Sequence, residues 1–403
     1  MTWEVKRLGD VCDIVNGGTP DTKVKEYWDG ENLWITPKDM GKLNNIFVDE
    51  TERKITDSGL KNSSAKLLPI NSIILSSRAP IGHLAINKKP ISTNQGCKGI
   101  IPKNVLDFLF LYYFLKKSVE LLNSLGSGTT FKELSGSKLA EVIIPLPPLP
   151  EQKRIVAILD SAFENIARAK ESAEKNLKNA NEIFESYLQS VFENKGDGWE
   201  EKNLGSICSL ITKGSSPKWQ GIKYVEEPGV LFITSENVGE YQLILENRKF
   251  VEDKFNLKDK KSILQKGDIL TNIVGASIGR TAMYTLDDVA NINQAVCILR
   301  CKPEFISNFY LMNLLNSAFM KKILHKNEVN NARANLSLTF FSNLSVSLPP
   351  LSKQQSIVSK LDALSTETKK LEAIYQKKLA DLEELKKSIL AKAFNGELTE
   401  ASA

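Results

Sequence analysis

The sequence predicts an α+β protein made of one unit used twice, a globular domain followed by a long helix, with the two helices packing on each other. Three observations carry this. Residues 148–192 return without a gap as residues 350–394, so that Leu159 and Asp160 fall on Leu361 and Asp362, and Phe192 falls on Phe394. In both copies apolar residues recur in alternating steps of four and three, the coiled-coil period. The likeness also continues upstream of each helix, which makes the globular parts copies as well. The chain therefore divides into globular domains at 1–147 and 197–348 and helical segments at 148–196 and 349–403.

Each domain opens alike: Trp3 to Gly9 reads WEVKRLG, and Trp199 to Gly205 reads WEEKNLG. An apolar alternation follows, containing Cys12 or Cys208. Further along, Gly17, Gly18, Thr19 and Pro20 resemble Gly214, Ser215, Ser216 and Pro217, and the strand end Trp34, Ile35, Thr36 matches Phe232, Ile233, Thr234. Short β-branched runs bounded by Gly, Pro or Asn predict strands at 73–75, 100–101, 142–144, 230–233 and 295–299. Runs rich in Leu and aromatics predict one helix per domain, over 106–123 and 304–324. Proline-rich exits at 145–150 and 349–350 read as stiff joints into the long helices.

Each long helix should run for about 40 residues, roughly 60 Å. The seam of the first includes Ile155, Leu159, Ile166, Asn176 and Ile183, and that of the second Ile357, Leu361, Leu371, Lys378 and Leu385. Asn176 and Lys378 interrupt the two seams at equivalent places, where a polar residue can fix register. Pro150 with Glu151 and Gln152, and a capping box over 352–355, mark the starts; Asn194 and Gly196, then Asn395 and Gly396, mark the ends. Periodicity alone fits a dimerisation stalk as well as internal pairing. The order of the units also implies that Ala403 ends near Met1, because the run from Gly396 to Met1 mimics that from Gly196 to Trp199.

Composition fits a soluble globular chain, with 42% apolar and 25% charged residues, and the net charge of +5 permits a polyanionic partner without requiring one. No apolar run approaches the roughly 18 residues of a membrane helix, and the opening MTWEVKRLGD lacks the apolar stretch of a signal peptide. Five cysteines without a CxxC pair read as reduced, cytoplasmic thiols, not as a zinc site. With only two histidines, unmatched between the copies, a histidine triad or His-based metal site is not expected. Phosphate-loop and dinucleotide signatures are missing. Asp21 with Glu52, Arg53 and Lys54 faintly resembles a metal-nuclease pattern, but carboxylates and lysines at such loose spacing arise by chance.

The polar features suit nucleic acid. Lysines interleave with aromatics in matched loops, as Lys23, Lys25 and Tyr27 in the first domain and Lys218, Trp219, Lys223 and Tyr224 in the second. Cations suit phosphates and aromatics pack near a backbone, although a solvated loop anchored by one aromatic has the same composition. Lys38 and Asp39 follow the first strand end, and Glu236 and Asn237 the second. Such side chains pair with base edges or form a polar turn. Arg78 is suited to guanine, a phosphate or a surface ion pair. The donor-rich loops at 126–132 and 330–335 add Lys132 and Arg333.

Taken together, the motifs resemble the specificity (S) subunits of type I restriction–modification enzymes. The resemblance rests on the exits IPLPPLPEQKRIVAILD and VSLPPLSKQQSIVSKLD, the helix end SILAKAFNGEL, the opening WEVKRLGDVCDIVNGGTP, and the pairs RAPIGHLAI with STNQGCKGI and GASIGRTA with NINQAVC. It implies two target-recognition domains, each reading one half of a bipartite double-stranded DNA site. It further implies an antiparallel coiled coil of the two helices, related by a pseudo-two-fold, that sets the half-site spacing and holds two methyltransferase (M) subunits. Restriction (R) subunits join through the complex. The S chain is then non-catalytic, with AdoMet on M, and ATP and magnesium on R. The second joint has Ser352 and Lys353 where the first has Pro150 and Glu151, so the two present different surfaces to M. Lys38 against Glu236, and Asp39 against Asn237, predict different half-sites and an asymmetric target. Two other readings fit the residues: a standalone DNA-binding or anti-restriction decoy, separated by co-purification with a methyltransferase, and a coiled-coil scaffold, separated by salt-dependent DNA binding.

Overall fold

The computed structural model describes residues 3–78, 80–128, 132–194, 196–327, 329–330 and 334–398. The chain forms two compact units, Met1–Ala173 with Lys377–Ala403, and Glu174–Gln376. A compact unit is therefore not one copy of the repeat. Each joins a globular domain to the first part of the helix that leaves it and to the last part of the other copy's helix.

In the first unit a five-stranded sheet runs in the order Cys12–Asn16, Cys97–Pro102, Ile73–Ser77, Ile81–Asn87, Phe47–Val48. Ile73, Ile74 and Leu75 lie at its centre, buried on both faces, which accounts for their unbroken apolar run. A three-stranded sheet of Arg53–Ile55, Trp28–Ile35 and Ile91–Thr93 stands beside it. The charged opening Glu4–Arg7 is itself a strand, antiparallel to Ile143–Leu146 with Glu4 opposite Leu146. The second unit repeats the scheme. Cys208–Lys213, Val296–Cys301, Ile269–Asn272 and Thr281–Met283 form one sheet, and Glu200–Asn203 pairs with Ser345–Leu348.

The predicted helix over 106–123 is two helices, Phe108–Lys117 and Val119–Leu125, and that over 304–324 is Asn308–Asn316 and Ala318–Lys326. Both break at a serine. Ser317 is extended, with φ −61° and ψ 145°, and its hydroxyl donates to Leu314 O and accepts from Met320 N–H. A serine hydroxyl competes with the helical ladder in this way, while apolar periodicity runs straight across the break.

The long helices are Leu149–Glu193 and Leu351–Phe394. Each starts directly after a proline, and Pro148 O and Pro350 O accept the first helical N–H bonds. Ser352 thus lies inside the helix, and the expected capping box over 352–355 does not form. The ends fall as predicted before Gly196 and Gly396. Within each unit the two helix segments are antiparallel. In the first, Ile155 and Leu159 share a core with Leu390 and Phe394, and Lys170 Nζ lies 3.0 Å from Glu383 Oε1. In the second, Leu188 and Phe192 share a core with Ile357 and Leu361.

Ile155, Leu159, Ile166, Ile357 and Leu361 are buried as expected, but Ile183, Leu371 and Leu385 are 44%, 36% and 46% exposed. The buried face keeps to the heptad through Ala173 and Ala180 and then leaves it for Leu188 and Phe192. A 3.6-residue helix drifts from a strict heptad seam, and the helix ends dock on their globular domains: Phe394 meets Phe110 with ring centroids 5.0 Å apart, and Phe192 meets Tyr310 at 5.4 Å. Asn176 is half-buried and Lys378 is exposed, so no buried charge sits at the second interruption. Ala403 and Met1, which the order of the units is expected to bring together, lie outside the described residues; within them, a β-carbon on Gly396 would lie 3.8 Å from Trp3 Cζ2, and one on Gly196 would lie 3.3 Å from Trp199 Nε1.

A buried glutamine fixes each joint. Gln152, 0% exposed, accepts from Asp107 N–H and donates to Val105 O and Pro147 O. Gln354, also fully buried, accepts from Ser307 N–H and donates to Phe305 O and Pro349 O. In each unit this one side chain ties the start of the long helix to the N-terminus of the domain helix.

Candidate nucleic-acid interface

The loops after Cys12–Asn16 and Cys208–Lys213 each leave the sheet through a glycine that no other residue can replace. A β-carbon on Gly17 would lie 1.9 Å from Asn94 O, and one on Gly214 would lie 1.8 Å from Ile292 O. In the first domain the loop is pinned: Trp34 Nε1 donates to Gly18 O, Trp28 Nε1 to Asp21 O, and Lys23 N–H to Asp21 Oδ1. The Arg53 guanidinium lies 3.7 Å from the Trp28 ring centroid, and Trp28 meets Trp34 edge-on. Lys23 and Lys25 stay exposed on this frame, with Tyr27 half-buried. In the second domain Trp219 is 84% and Tyr224 56% exposed, flanked by exposed Lys218 and Lys223. The lysines of both loops thus face solvent, but only the second loop presents free aromatic faces.

Asp21 and Glu52, the carboxylates of the nuclease-like pattern, belong to this local structure. Asp21 closes the turn, and Glu52 pairs with Lys42 at 3.1 Å. Among the described residues no group of three or more His, Cys, Asp or Glu is placed to hold a metal ion.

The turns after the strands give two of the expected base readers a structural role. Asp39 Oδ2 accepts from Thr36 N–H and Thr36 Oγ1–H, capping the short helix Pro37–Met40. Asn237 is only 4% exposed; its Oδ1 accepts from Thr234 N–H and Oγ1–H, and its Nδ2 donates to Ile244 O. Both hold the backbone turn, and burial keeps Asn237 away from the surface. Lys38 and Glu236, one position earlier, are the exposed members. The bond from Lys249 Nζ, at 2.7 Å, holds the Glu236 carboxyl below the usual carboxylate range.

Arg78 lies at the end of the central strand, with Nη1 3.8 Å from Glu133 Oε2. Lys98, which the sequence reading passed over, faces the same carboxylate with Nζ 3.8 Å from Glu133 Oε1. Its signal was a lysine inside the apolar run CKGII. Lys132 is exposed next to this group, and Arg333 lies outside the described residues. The register identifies the second domain's counterparts. Arg78 bridges Glu133 as Val274 bridges Asn335, and Lys98 pairs with Asn16 as Cys297 pairs with Lys213.

The model of the type I restriction modification DNA specificity domain matches residues 1–178 and again 196–381. The type I restriction enzyme MjaIX specificity subunit of Methanocaldococcus jannaschii is 30% identical over 98% of this chain and 93% of that one. The EcoBI specificity subunit of Escherichia coli is 28% identical over 77% of this chain and 70% of its own. In fold, the chain is similar to the HsdS subunit from Thermoanaerobacter tengcongensis, with a TM-score of 0.65 at 21% identity, covering 98% of this chain and 97% of that one. It is also similar to a chain from a solved type I R-M system, with a TM-score of 0.76 at 21% identity and 98% coverage of both.

Proposed function

The chain belongs to the type I restriction-modification specificity-subunit family, and on that premise we propose how it reads DNA: each globular domain takes one half of an asymmetric, bipartite target. The observation that carries this is the doubled specificity domain, whose two copies expose different chemistry at matched places, Lys38 against Glu236 and Arg78 against Val274. Lys23, Lys25, Lys218 and Lys223 contact phosphates and set register, with Lys132 and Arg333 assisting from the donor-rich loops at 126–132 and 330–335. Trp219 and Tyr224 pack on the DNA in the second domain, and Tyr27 lies at the equivalent place in the first. Lys38 and Glu236 reach base edges in the major groove.

The long helices act as the spacer and as the docking surface for the methyltransferase subunits, two per chain by the repeat; restriction subunits join through the assembled complex. The chain positions chemistry that it does not perform. AdoMet is held by the methyltransferase subunits, which flip the target base out of the stack, and ATP and magnesium by the restriction subunits. Such a complex works in the cytoplasm, and among the described residues no helix is long and apolar enough to cross a membrane. The test is a chimera in which residues 197–348 are replaced by those of a relative, followed by mapping of the methylated sites. One half-site should change and the other persist; change in both, or in neither, contradicts the assignment.

A further inference from the structure

Lys98 is the chemically unusual residue of the first domain. It sits inside the five-stranded sheet, between Asn16 and Leu75, and is 5% exposed. Its nearest counter-charge, Glu133, is 3.8 Å away, beyond hydrogen-bonding distance, and Glu133 is shared with Arg78. Two cations thus face one carboxylate, and among the described residues the Lys98 ammonium makes no hydrogen bond. Burial pushes its pKa down, as expected of a cation with too little compensation. The ammonium borders a cavity of about 880 Å³ lined also by Asn16, Glu133 and the hydroxyl-bearing Ser127, Ser135 and Ser137. In the second domain Val274, Cys297 and Asn335 stand at the places of Arg78, Lys98 and Glu133, and Lys213, at the place of Asn16, is exposed.

We infer that this cavity is a phosphate-oxyanion site peculiar to the first domain, occupied by one backbone phosphate of the half-site that domain reads. Lys98 supplies the charge at the cavity wall, the serine hydroxyls supply donors, and Arg78 acts from behind the wall through the other oxygen of Glu133. Glu133 holds the two cations in place between encounters and opposes the incoming anion. The inference rests on the DNA-reading proposal above and adds an anchor that the sequence reading did not include. The site also makes the two halves unequal, because among the described residues the second domain's sheet has no buried lysine at the place of Lys98.

The repeat supplies the variants for the test. Lys98→Cys and Arg78→Val install the residues that the second domain folds with at the same positions. DNA binding by the complex with its methyltransferase partner is measured as a function of sodium chloride, on the target duplex and on unrelated duplex. Lys98→Cys should weaken both about tenfold, the worth of one charged hydrogen bond. It should also reduce the slope of log K against log salt by about 0.9, that of one phosphate contact. Glu133→Gln should tighten binding. A second arm adds inorganic phosphate to the wild-type complex at constant ionic strength. If the site serves free phosphate instead, inorganic phosphate will raise the melting temperature of wild type but not of Lys98→Cys, and Lys98→Cys will bind DNA like wild type. That result, or wild-type affinity and slope in both variants, overturns the inference. Failure of the wild-type complex to bind any DNA would instead sink the DNA-reading proposal, and this site with it.

Discussion

Replacing Gln152 by leucine should reveal how much one side chain holds the first unit together. The glutamine is fully buried and makes three hydrogen bonds, from Asp107 N–H at 2.8 Å and to Val105 O and Pro147 O at 2.9 and 2.8 Å. Leucine has a similar volume, so the packing survives while one N–H and two carbonyls lose their partner. At about 1 kcal/mol for each bond, the loss is roughly 3 kcal/mol. For a unit of about 200 residues that corresponds to a fall in melting temperature of about 6–12 °C. Gln354→Leu removes the matched set in the second unit, with bonds of 2.9, 3.0 and 3.0 Å, and should be equally damaging. Urea titration and calorimetry of the full chain read both effects. If either variant stayed within about 1 kcal/mol of wild type, the joints would be held by packing and not by the glutamines.

Four further outcomes follow from the same structure. Asn237→Ala should destabilise the second unit by about 1–2 kcal/mol, since a buried cap is lost, yet leave the methylated sequence unchanged; a changed target would restore Asn237 as a base reader. Tyr113→Phe removes the bond from the Tyr113 hydroxyl to Asp160 and should cost about 1.5–3 kcal/mol in urea unfolding, as a bond to a carboxylate does. Burial, with Lys386 nearby, pushes the Lys116 ammonium down to about 8 from 10.5. The folded chain then binds fewer protons than the unfolded one between these values, so folding is penalised below pH 8 and the penalty fades as pH rises to about 10.5. Lys116→Met should abolish that rise in melting temperature, and an unchanged pH profile would contradict it. Adding one heptad to both long helices should lengthen the unread gap in the target by about 3 base pairs, the length of roughly 10 Å of helix at 1.5 Å per residue; an unaltered gap would remove the helices' role as spacer.

The doubled architecture was legible because it is written in residue identity. Leu159, Asp160 and Phe192 recur at a constant offset, and the helix ends at Glu193 and Phe394 sit where Gly196 and Gly396 predict. What the sequence concealed lies where one residue type serves two physical ends. Asp39 and Asn237 have the chemistry to read bases, but the same oxygens suit a cap three residues beyond Thr36 and Thr234. Ser118 and Ser317 break helices whose apolar pattern continues unbroken. Ile183 and Leu385 keep the heptad, yet the packing follows the helix's own period once its ends dock on the domains. Lys98 escaped notice because burial, which makes it unusual, cannot be read from a single lysine in an apolar run.

The central claim is that two unlike readers are joined by one spacer. Methylome sequencing of a host carrying this chain with its methyltransferase partner tests it most directly. It should return one new motif of two different short halves separated by a fixed unread gap. A palindromic motif, a continuous one, or no new methylation would contradict the account.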